Sequence, residues 1–253
     1  MFRFILFFSI LFFSFSCSLL NVDPNDLEEK EGITYLKGTK KAFTGQGLSE
    51  YENGKSSVLF NYKNGKKDGE SKAWYKNGQI EYQGQYINGE KEGTFSGWFE
   101  DGKLGAERNY LHGMENGSWK IWHENGQLKE SGYFNNGLRD SLWQWFYENG
   151  QKWIEVNFIK GNEFGTWKAW YDTGEKREEV DYQNGKKEGL WQEWNKKGII
   201  ISKGLFSLGR ENGNWYGWYD NGQPKFEILY KNGDIVYKKQ WTEEGKLIIE
   251  ENK

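Results

Sequence analysis

The chain of 253 residues has few of the residue types that usually indicate covalent cross-links, metal sites or catalysis. It contains one cysteine, two histidines, two prolines and two methionines. A single cysteine excludes an internal disulfide, and two histidines argue against an all-histidine metal site. The formal net charge of −3 gives no sign of the basic surface that binds nucleic acid or acidic lipid. These scarcities argue against most kinds of enzyme, and we expect no cofactor and no metal.

Glycine and aromatic residues are abundant by contrast. The chain has 33 glycines, well above the usual ~7%, together with 14 tryptophans, 15 tyrosines and 17 phenylalanines. With 28% charged residues of both signs, such a chain can bury enough surface to fold, which argues against disorder. Much glycine together with many aromatics favours short strands joined by tight turns, and therefore an all-β fold.

The first residues differ in kind from the rest. Arg3 precedes an apolar run over residues 4–13, and small residues then lead to Cys17, which predicts a signal peptide over residues 1–16. The position of the only cysteine resembles the lipobox of bacterial lipoproteins and predicts lipidation at Cys17, although Ser14 stands where a lipobox usually has leucine. Ordinary secretion and an uncleaved anchor over residues 4–20 are the alternatives.

Every one of these alternatives exports the chain. We therefore predict a lipoprotein anchored in the membrane of the bacterial cell envelope, with a secreted or periplasmic protein as the alternative. Residues 17–34 are predicted to form the lipid-anchor cysteine and a polar, acidic tether, and residues 35–253 to form one repeat ribbon.

From residue 45 onward the sequence repeats every 24 residues. Several columns of glycine and aromatic residues keep this period in phase, which chance does not produce. One glycine column comprises Gly54, Gly78, Gly102, Gly126, Gly150, Gly174, Gly198 and Gly222, and a second comprises Gly65, Gly89, Gly113, Gly137, Gly161, Gly185, Gly209 and Gly233. Two aromatic columns are Tyr62, Tyr86, Tyr110, Phe134, Phe158, Tyr182, Phe206 and Tyr230, and Trp74, Trp98, Trp122, Phe146, Trp170, Trp194 and Trp218. The repetitive part is therefore one architecture.

Each period predicts one β-hairpin. Asn-Gly pairs such as Asn77-Gly78 supply a two-residue turn in which both residues accept positive φ, and period-two alternation follows each turn. This turn would pair Tyr75 with Ile80, Ala73 with Tyr82 and Ser71 with Gly84, all on one side of the sheet. The second connection, residues 64–69 and its copies, is predicted to be longer and charged. The fold class is thus an elongated single-layer antiparallel meander of about eight 24-residue hairpin repeats.

The predicted register gives the sheet two unlike faces. The first, which we call the aromatic face, carries the column from Tyr62 to Tyr230 and a row of mostly aromatic residues from Phe95 to Trp215. The second, which we call the polar face, carries the column from Trp74 to Trp218, here called the tryptophan column, among lysines and glutamates. Because no segment has helical periodicity, nothing is predicted to cover either face.

These units resemble a known repeat family. Residues 62–69 (YKNGKKDG) followed by residues 73–78 (AWYKNG), with counterparts over residues 182–198, are similar to MORN repeats of the bacterial variant type. The resemblance covers about residues 35–250. It implies elongated antiparallel sheets that serve as scaffolds for partners, sometimes close to a membrane. Many bacterial members are named as YwqK-type antitoxins, so an antitoxin-like role is also implied.

No residue cluster stands out as catalytic. His112 and His123 are interpreted as turn and sheet residues, and the acidic residues recur in the charged loops as Asp68, Glu92, Asp140 and Glu188. A G-x-S-x-G motif and a phosphate-binding glycine loop are both missing. The sequence therefore favours a protein that is not an enzyme.

Two classes of binding function remain open besides the antitoxin-like role. The first is a membrane-anchored scaffold for an unknown protein partner, with no nucleic acid bound. The second is a glycan or choline-type ligand module that uses its Trp and Tyr ladders. For a partner site we predict Trp98, Trp122 and Trp170, because a tryptophan among lysines and glutamates has less structural reason to be there than one on the aromatic face. A purely structural tryptophan column is the alternative.

Overall fold

The computed structural model describes residues 21–252. The predicted signal peptide over residues 1–16 and the predicted lipidation site Cys17 lie outside the described residues. No helix in residues 21–252 has the length and apolar composition that crossing a membrane requires.

The described part is almost entirely β. One 3₁₀ turn covers Pro24–Asp26. The strands are β1 Asn21–Val22, β2 Leu27–Lys30, β3 Ile33–Leu36, β4 Gly45–Glu50, β5 Ser56–Lys63, β6 Lys66–Trp74, β7 Ile80–Ile87, β8 Glu90–Trp98, β9 Leu104–Leu111, β10 Met114–Trp122, β11 Leu128–Asn135, β12 Leu138–Phe146, β13 Lys152–Ile159, β14 Asn162–Trp170, β15 Lys176–Gln183, β16 Lys186–Trp194, β17 Ile200–Ser207, β18 Arg210–Glu211, β19 Gly213–Trp218, β20 Pro224–Lys231, β21 Asp234–Trp241 and β22 Leu247–Asn252.

Twenty of these strands form one open sheet. From β4 onward each strand pairs antiparallel with the next in sequence, and β17 pairs with both β18 and β19 where the strand after it is interrupted. The predicted all-β meander of hairpin repeats is therefore confirmed. It follows from the alternation of the sequence, because period-two segments joined by short turns pair with their neighbours.

The start of the described chain has more structure than the tether prediction included. β1 pairs in parallel with β4, and β2 and β3 form a separate two-stranded sheet. The amide of Thr34 donates to the carbonyl of Gly65 at 2.8 Å, and Phe43 is buried with its ring 5.6 Å from that of Tyr62. Residues 21–43 thus pack on the first repeat.

The two kinds of turn are the reverse of the prediction. Asn64-Gly65 and the equivalent pairs in later repeats form two-residue turns, with both residues at positive φ (52° and 78° at the first). At Asn77-Gly78 only Gly78 has positive φ, and the amides of Gly78 and Tyr75 bond to the carbonyls of Tyr75 and Gln79. This is a three-residue turn followed by a bulge, because Asn77 takes an ordinary conformation.

The register is correct at two of the three predicted pairs. Ser71 lies opposite Gly84 and Ala73 opposite Tyr82, but a bulge between Ala73 and Trp74 places Trp74 opposite Ile80. The predicted pair of Tyr75 with Ile80 is therefore wrong. The three-residue turn is the reason, since it needs one residue more on one strand than a two-residue turn does.

The densest packing lies on the aromatic face in the middle of the sheet. Trp143 is completely buried, and Val156 and Phe158 beside it are nearly so. Edge-to-face contacts between neighbouring strands continue this packing, for example between Phe134 and Trp143 at 4.9 Å. Cross-strand aromatic pairs of this kind stabilise a sheet that has no covering layer.

Candidate functional site

The predicted partner residues Trp98, Trp122 and Trp170 lie at the ends of β8, β10 and β14, directly after a bulge in each hairpin. All three are half-buried. The Lys152 ammonium lies 5.0 Å from the Trp170 ring, and the same arrangement recurs between Lys176 and Trp194. A lysine over a tryptophan covers part of the ring and contributes a cation–π attraction.

The backbone beside the tryptophan column has a structural role. The Tyr75 hydroxyl donates to the carbonyl of Trp98 at 2.8 Å, and the Tyr147 hydroxyl donates to the carbonyl of Trp170 at 2.9 Å. His123 replaces tyrosine in this series, and its Nε2 donates to the carbonyl of Phe146 at 3.0 Å. These bonds join each repeat to the next, and the interpretation of His123 as a sheet residue agrees with its place among them.

The charged loops join neighbouring repeats in a similar way. The carboxylate of Asp68 accepts from the amide of Asn88 at 3.1 Å, and that of Glu92 accepts from the amide of His112 at 3.0 Å. Glu188 accepts from the amide of Leu208 in the same manner at 2.8 Å. These acids therefore satisfy turn amides, and His112 is a turn residue with a φ of 50°.

Exposed apolar side chains gather along one long edge of the sheet. Five of them, each between 38% and 50% exposed, flank four successive two-residue turns. We call this set the apolar rim: Ile87, Leu111, Met114, Leu138 and Ile159. Leu111 and Met114 are register partners, whereas Gln183, Lys186, Ser207 and Arg210 occupy the same positions in later repeats. The rim was not predicted, although a comparison of the residues at the positions of Leu111 and Met114 in successive repeats would have revealed it.

A cleft of about 1010 Å³ opens among β6 to β13. Its walls include six aromatic side chains, which are Tyr75, Tyr82, Tyr86, Phe95, Phe99 and Tyr110. Its charged lining residues are Lys91, Arg108 and Lys129, and Glu81, Glu124 and Glu148. Trp98 and Trp122 also line it, whereas Trp170 does not. The structure thus brings together two of the three predicted residues and places the third four strands further along the sheet, about 19 Å away at ~4.8 Å per strand.

Small residues open this cleft. Gly97 and Ala106 are register partners there, and Gly105 precedes Ala106. In the tightly packed part of the sheet, Trp145 and Ile154 occupy the positions that correspond to Gly97 and Ala106. The cleft therefore forms where this repeat has small residues at positions that carry large side chains two repeats later.

One cation in the cleft breaks a column of small and apolar residues. Arg108 occupies the position of Phe60, Gly84, Gly132, Val156, Val180, Gly204 and Ile228 in the other repeats. It lies opposite both Phe95 and Trp119, with its guanidinium 4.7 Å from the Trp119 ring. The buried Nε of Arg108 and the buried Nε1 of Trp119 have no hydrogen-bond partner in residues 21–252. Arg108 was not among the predicted site residues, although its departure from the column is visible in the sequence.

Burial affects the protonation of two hydroxyl groups in the cleft. Burial raises the pKa of Tyr82 and of Tyr86 above the usual tyrosine value, so both hydroxyls stay protonated at neutral pH. The Lys91 ammonium lies 4.6 Å from the Tyr110 ring and 5.1 Å from the Phe95 ring. Residues 21–252 contain no group of three or more His, Cys, Asp or Glu side chains placed to hold a metal ion. The cleft can therefore offer aromatic surfaces, hydroxyls, cationic groups and carboxylates.

Comparison with known families supports a MORN-repeat family for this chain. The MORN repeat variant matches five segments, residues 67–88, 115–136, 139–160, 165–184 and 211–232. Each segment covers one hairpin closed by a three-residue turn, so the matched unit is the structural repeat. No curated protein matches the chain.

Solved structures of toxin complexes also align with the chain. They include the Tc holotoxin pore of Photorhabdus luminescens (12% identity, TM-score 0.16), TcdB2-TccC3-Cdc42 (11%, 0.18) and TcdB2-TccC3 (12%, 0.17). Each alignment covers 87% of this chain and 14% of the other. TM-scores this low carry no argument about fold or function.

Proposed function

We propose that this protein is a non-enzymatic repeat scaffold that is anchored to the cell envelope through Cys17 and mediates protein–protein interaction. The observation that carries the proposal is the apolar rim, where five exposed side chains flank four successive turns. Contiguous exposed apolar side chains on a folded chain mark surfaces that bind other molecules. The MORN-type repeats support a scaffold, because such repeats present one long surface of repeated units.

Cross-linking in intact cells followed by co-purification tests this proposal. The rim variant Leu111→Ser with Leu138→Ser should lose a partner that the wild type retains, while its melting temperature changes little because neither side chain belongs to the buried core. Leu208→Ser is the matched control, since Leu208 is 73% exposed at a turn outside the rim. Equal recovery of every partner by rim and control variants contradicts the use of the rim.

The tryptophan column is tested in the same assay. Replacement of Trp98, Trp122 and Trp170 by serine should reduce partner recovery if the column binds the partner. Unfolding of all three variants instead would make the column structural.

For the anchor, the wild type should incorporate labelled fatty acid and Cys17→Ser should not, and an unlabelled soluble wild type favours secretion.

A ligand-binding module is the second candidate, and the aromatic cleft around Arg108 is the observation that favours it. Aromatic side chains that line a concave site offer flat surfaces on which a ring can stack. The antitoxin-like role stays a prediction, because no described residue bears on it.

A further inference from the structure

We infer that the cleft among β6 to β13 is a binding site for an acidic saccharide, with Arg108 as the residue that recognises the carboxylate of a uronic acid. The inference is independent of the partner-scaffold proposal, which rests on the apolar rim.

Arg108 disturbs a packing arrangement that the chain uses elsewhere. Gly132 and Gly204 have no side chain, so the rings of Trp143 and Trp215 lie directly on the backbone there. Each indole Nε1 then donates to the carbonyl of the residue after that glycine, Tyr133 or Leu205, at 3.1 Å. The ring of Trp119 cannot lie on the backbone in this way, because Arg108 stands where the glycine would be. Its Nε1 is left without a partner in the described part of the chain.

Arg108 itself also lacks the partner that a comparable arginine has. Arg139 lies 4.4 Å from the Trp143 ring and has the Glu130 carboxylate 3.5 Å away. Arg108 lies over Trp119 in the same fashion, but none of the ion pairs among residues 21–252 involves it. Arg108 is half-buried, but its Nε is buried without a hydrogen-bond partner in residues 21–252, as is the indole N–H of Trp119, and buried donors without an acceptor are costly. Arg108 lines the cleft and has no ion pair among residues 21–252, so a ligand in the cleft can supply the acceptor for its guanidinium.

The chemistry of the acceptor follows from the donors. A guanidinium matches the two oxygens of a carboxylate, and Lys91 adds a second positive charge over the rings of Phe95 and Tyr110. The same two cations disfavour a quaternary ammonium ligand, because its positive charge would be repelled by them and would compete with them for the aromatic rings. This argues against the choline-type alternative that the aromatic residues alone suggest.

The other lining residues indicate the chemistry of the rest of the ligand. Glu81, Glu124 and Glu148 line the same cleft, so a polyanion such as an oligophosphate would meet three like charges. Neutral sugar hydroxyls instead donate to carboxylates, and the flat faces of sugar rings stack on aromatic side chains. A saccharide with a single carboxylate on a uronic acid ring therefore satisfies the cations, the carboxylates and the aromatic walls together.

The test compares two oligosaccharides of equal length by isothermal titration calorimetry on the full chain. A neutral oligosaccharide that carries one glucuronate should bind at least tenfold more tightly than the same oligomer with that carboxylate methyl-esterified, since the ester loses the charge with which the guanidinium pairs. Arg108→Gln should lose about tenfold or more in affinity for the acid and little for the ester. Arg139→Gln is the matched control, because Arg139 already has a carboxylate beside it. Thermal melts verify that both variants are folded.

Three results overturn the inference. The first is equal affinity for the acid and the ester, and the second is equal affinity of wild type and Arg108→Gln for the acid. The third is absence of binding of the acid up to millimolar concentration. Should either arginine variant fail to fold, Arg108→Lys keeps the cation and loses the two-oxygen match, so it should still bind the acid more weakly than wild type does. Because the apolar rim is intact in all of these variants, partner recovery in the scaffold assay separates failure of this inference from failure of the proposed function.

Discussion

The aromatic face is built in two ways along the same sheet. Around Trp143 the repeat places a bulky ring over Gly132, with Val156 and Phe158 beside it, and the cleft beside these side chains measures about 220 Å³. Around Arg108 the equivalent positions hold an arginine in place of glycine or valine, and the small residues Gly97 and Ala106 leave a cleft. The backbone is the same in both regions. The difference shows that the repeat fixes the sheet, while departures from the repeat create the site.

The sharpest test of this comparison uses two strand glycines. A Cβ added at Gly132 would lie 2.2 Å from Cδ2 of Trp143, whereas one at Gly97 would meet nothing closer than 3.6 Å. Gly132→Ala should therefore lower the free energy of unfolding by about 3 kcal/mol, because the buried ring has no room to move. Gly97→Ala should instead raise it by roughly 0.5 kcal/mol through reduced freedom of the unfolded chain. Urea denaturation of both variants measures this, and equal losses would mean that the cleft is as tightly packed as the core.

A second test concerns the stability cost of Arg108. Arg108→Val introduces the residue found at the same position in two later repeats, at 156 and 180. It should raise the free energy of unfolding by about 1–2 kcal/mol, because the buried and unpaired Nε of Arg108 is replaced by an apolar side chain. The measurement is again urea denaturation. A loss of stability would show that the contact of Arg108 with Trp119 outweighs the desolvation of the charge.

A third test compares the bonds that join one repeat to the next in the two regions. Tyr147→Phe removes the hydroxyl that bonds to the carbonyl of Trp170 and should cost about 1 kcal/mol. In the cleft region Phe99 stands in the tyrosine position and cannot reach the carbonyl of Trp122 in this way. Phe99→Tyr should therefore stabilise the protein by up to about 1 kcal/mol. Thermal melts of both variants test this, and opposite signs of the two shifts are the expected outcome.

The smallest expected effect concerns Glu193, which occupies the column of Gly97 four repeats further along. Burial and the facing carboxylate of Glu178 raise the pKa of Glu193 above its usual value of 4.5. A raised folded-state pKa gives stability that is fully present below the unfolded pKa and is lost as the pH rises through the folded pKa. Glu193→Gln should therefore lose less stability than wild type between about pH 4.5 and pH 7. Melting temperatures across this range test it, with the exposed Glu243→Gln as control, and parallel curves for all three proteins would contradict it.

Much of the fold could be predicted because the sequence is periodic. The glycine and aromatic columns placed the strands, and alternation gave correct pairs such as Ser71 with Gly84. The turn types could not be read in the same way, because Asn-Gly occurs at both connections. Two-residue turns also accept Lys160 and Leu208 at a φ of about 50°, so residue type alone did not identify them. At Asn77 the side chain bonds instead to the carbonyl of Glu100 in the next repeat, a contact that only the stacked repeats create.

The candidate site was less predictable for a related reason. Attention to repeated residues selected Trp98, Trp122 and Trp170, whereas the cleft and the rim are made by residues that depart from the repeat. Arg108 in a column of phenylalanine, glycine, valine and isoleucine was visible in the sequence, but its buried, unpaired Nε was not. Which carboxylates approach a given arginine depends on strand register, and a bulge shifts that register by one residue.

The sequence by itself determined the all-β class, the 24-residue unit and the antiparallel order of its strands, because these depend on local alternation and on turns between neighbours. Tertiary structure alone decided which turn is tight, which side chains fill the aromatic face and where that face opens into a cleft. These features depend on contacts between residues that lie about 10 to 24 positions apart, such as Trp143 on Gly132 and Tyr147 on Trp170. Such contacts follow from bulges and stacking between repeats, which the pattern of any single repeat does not contain.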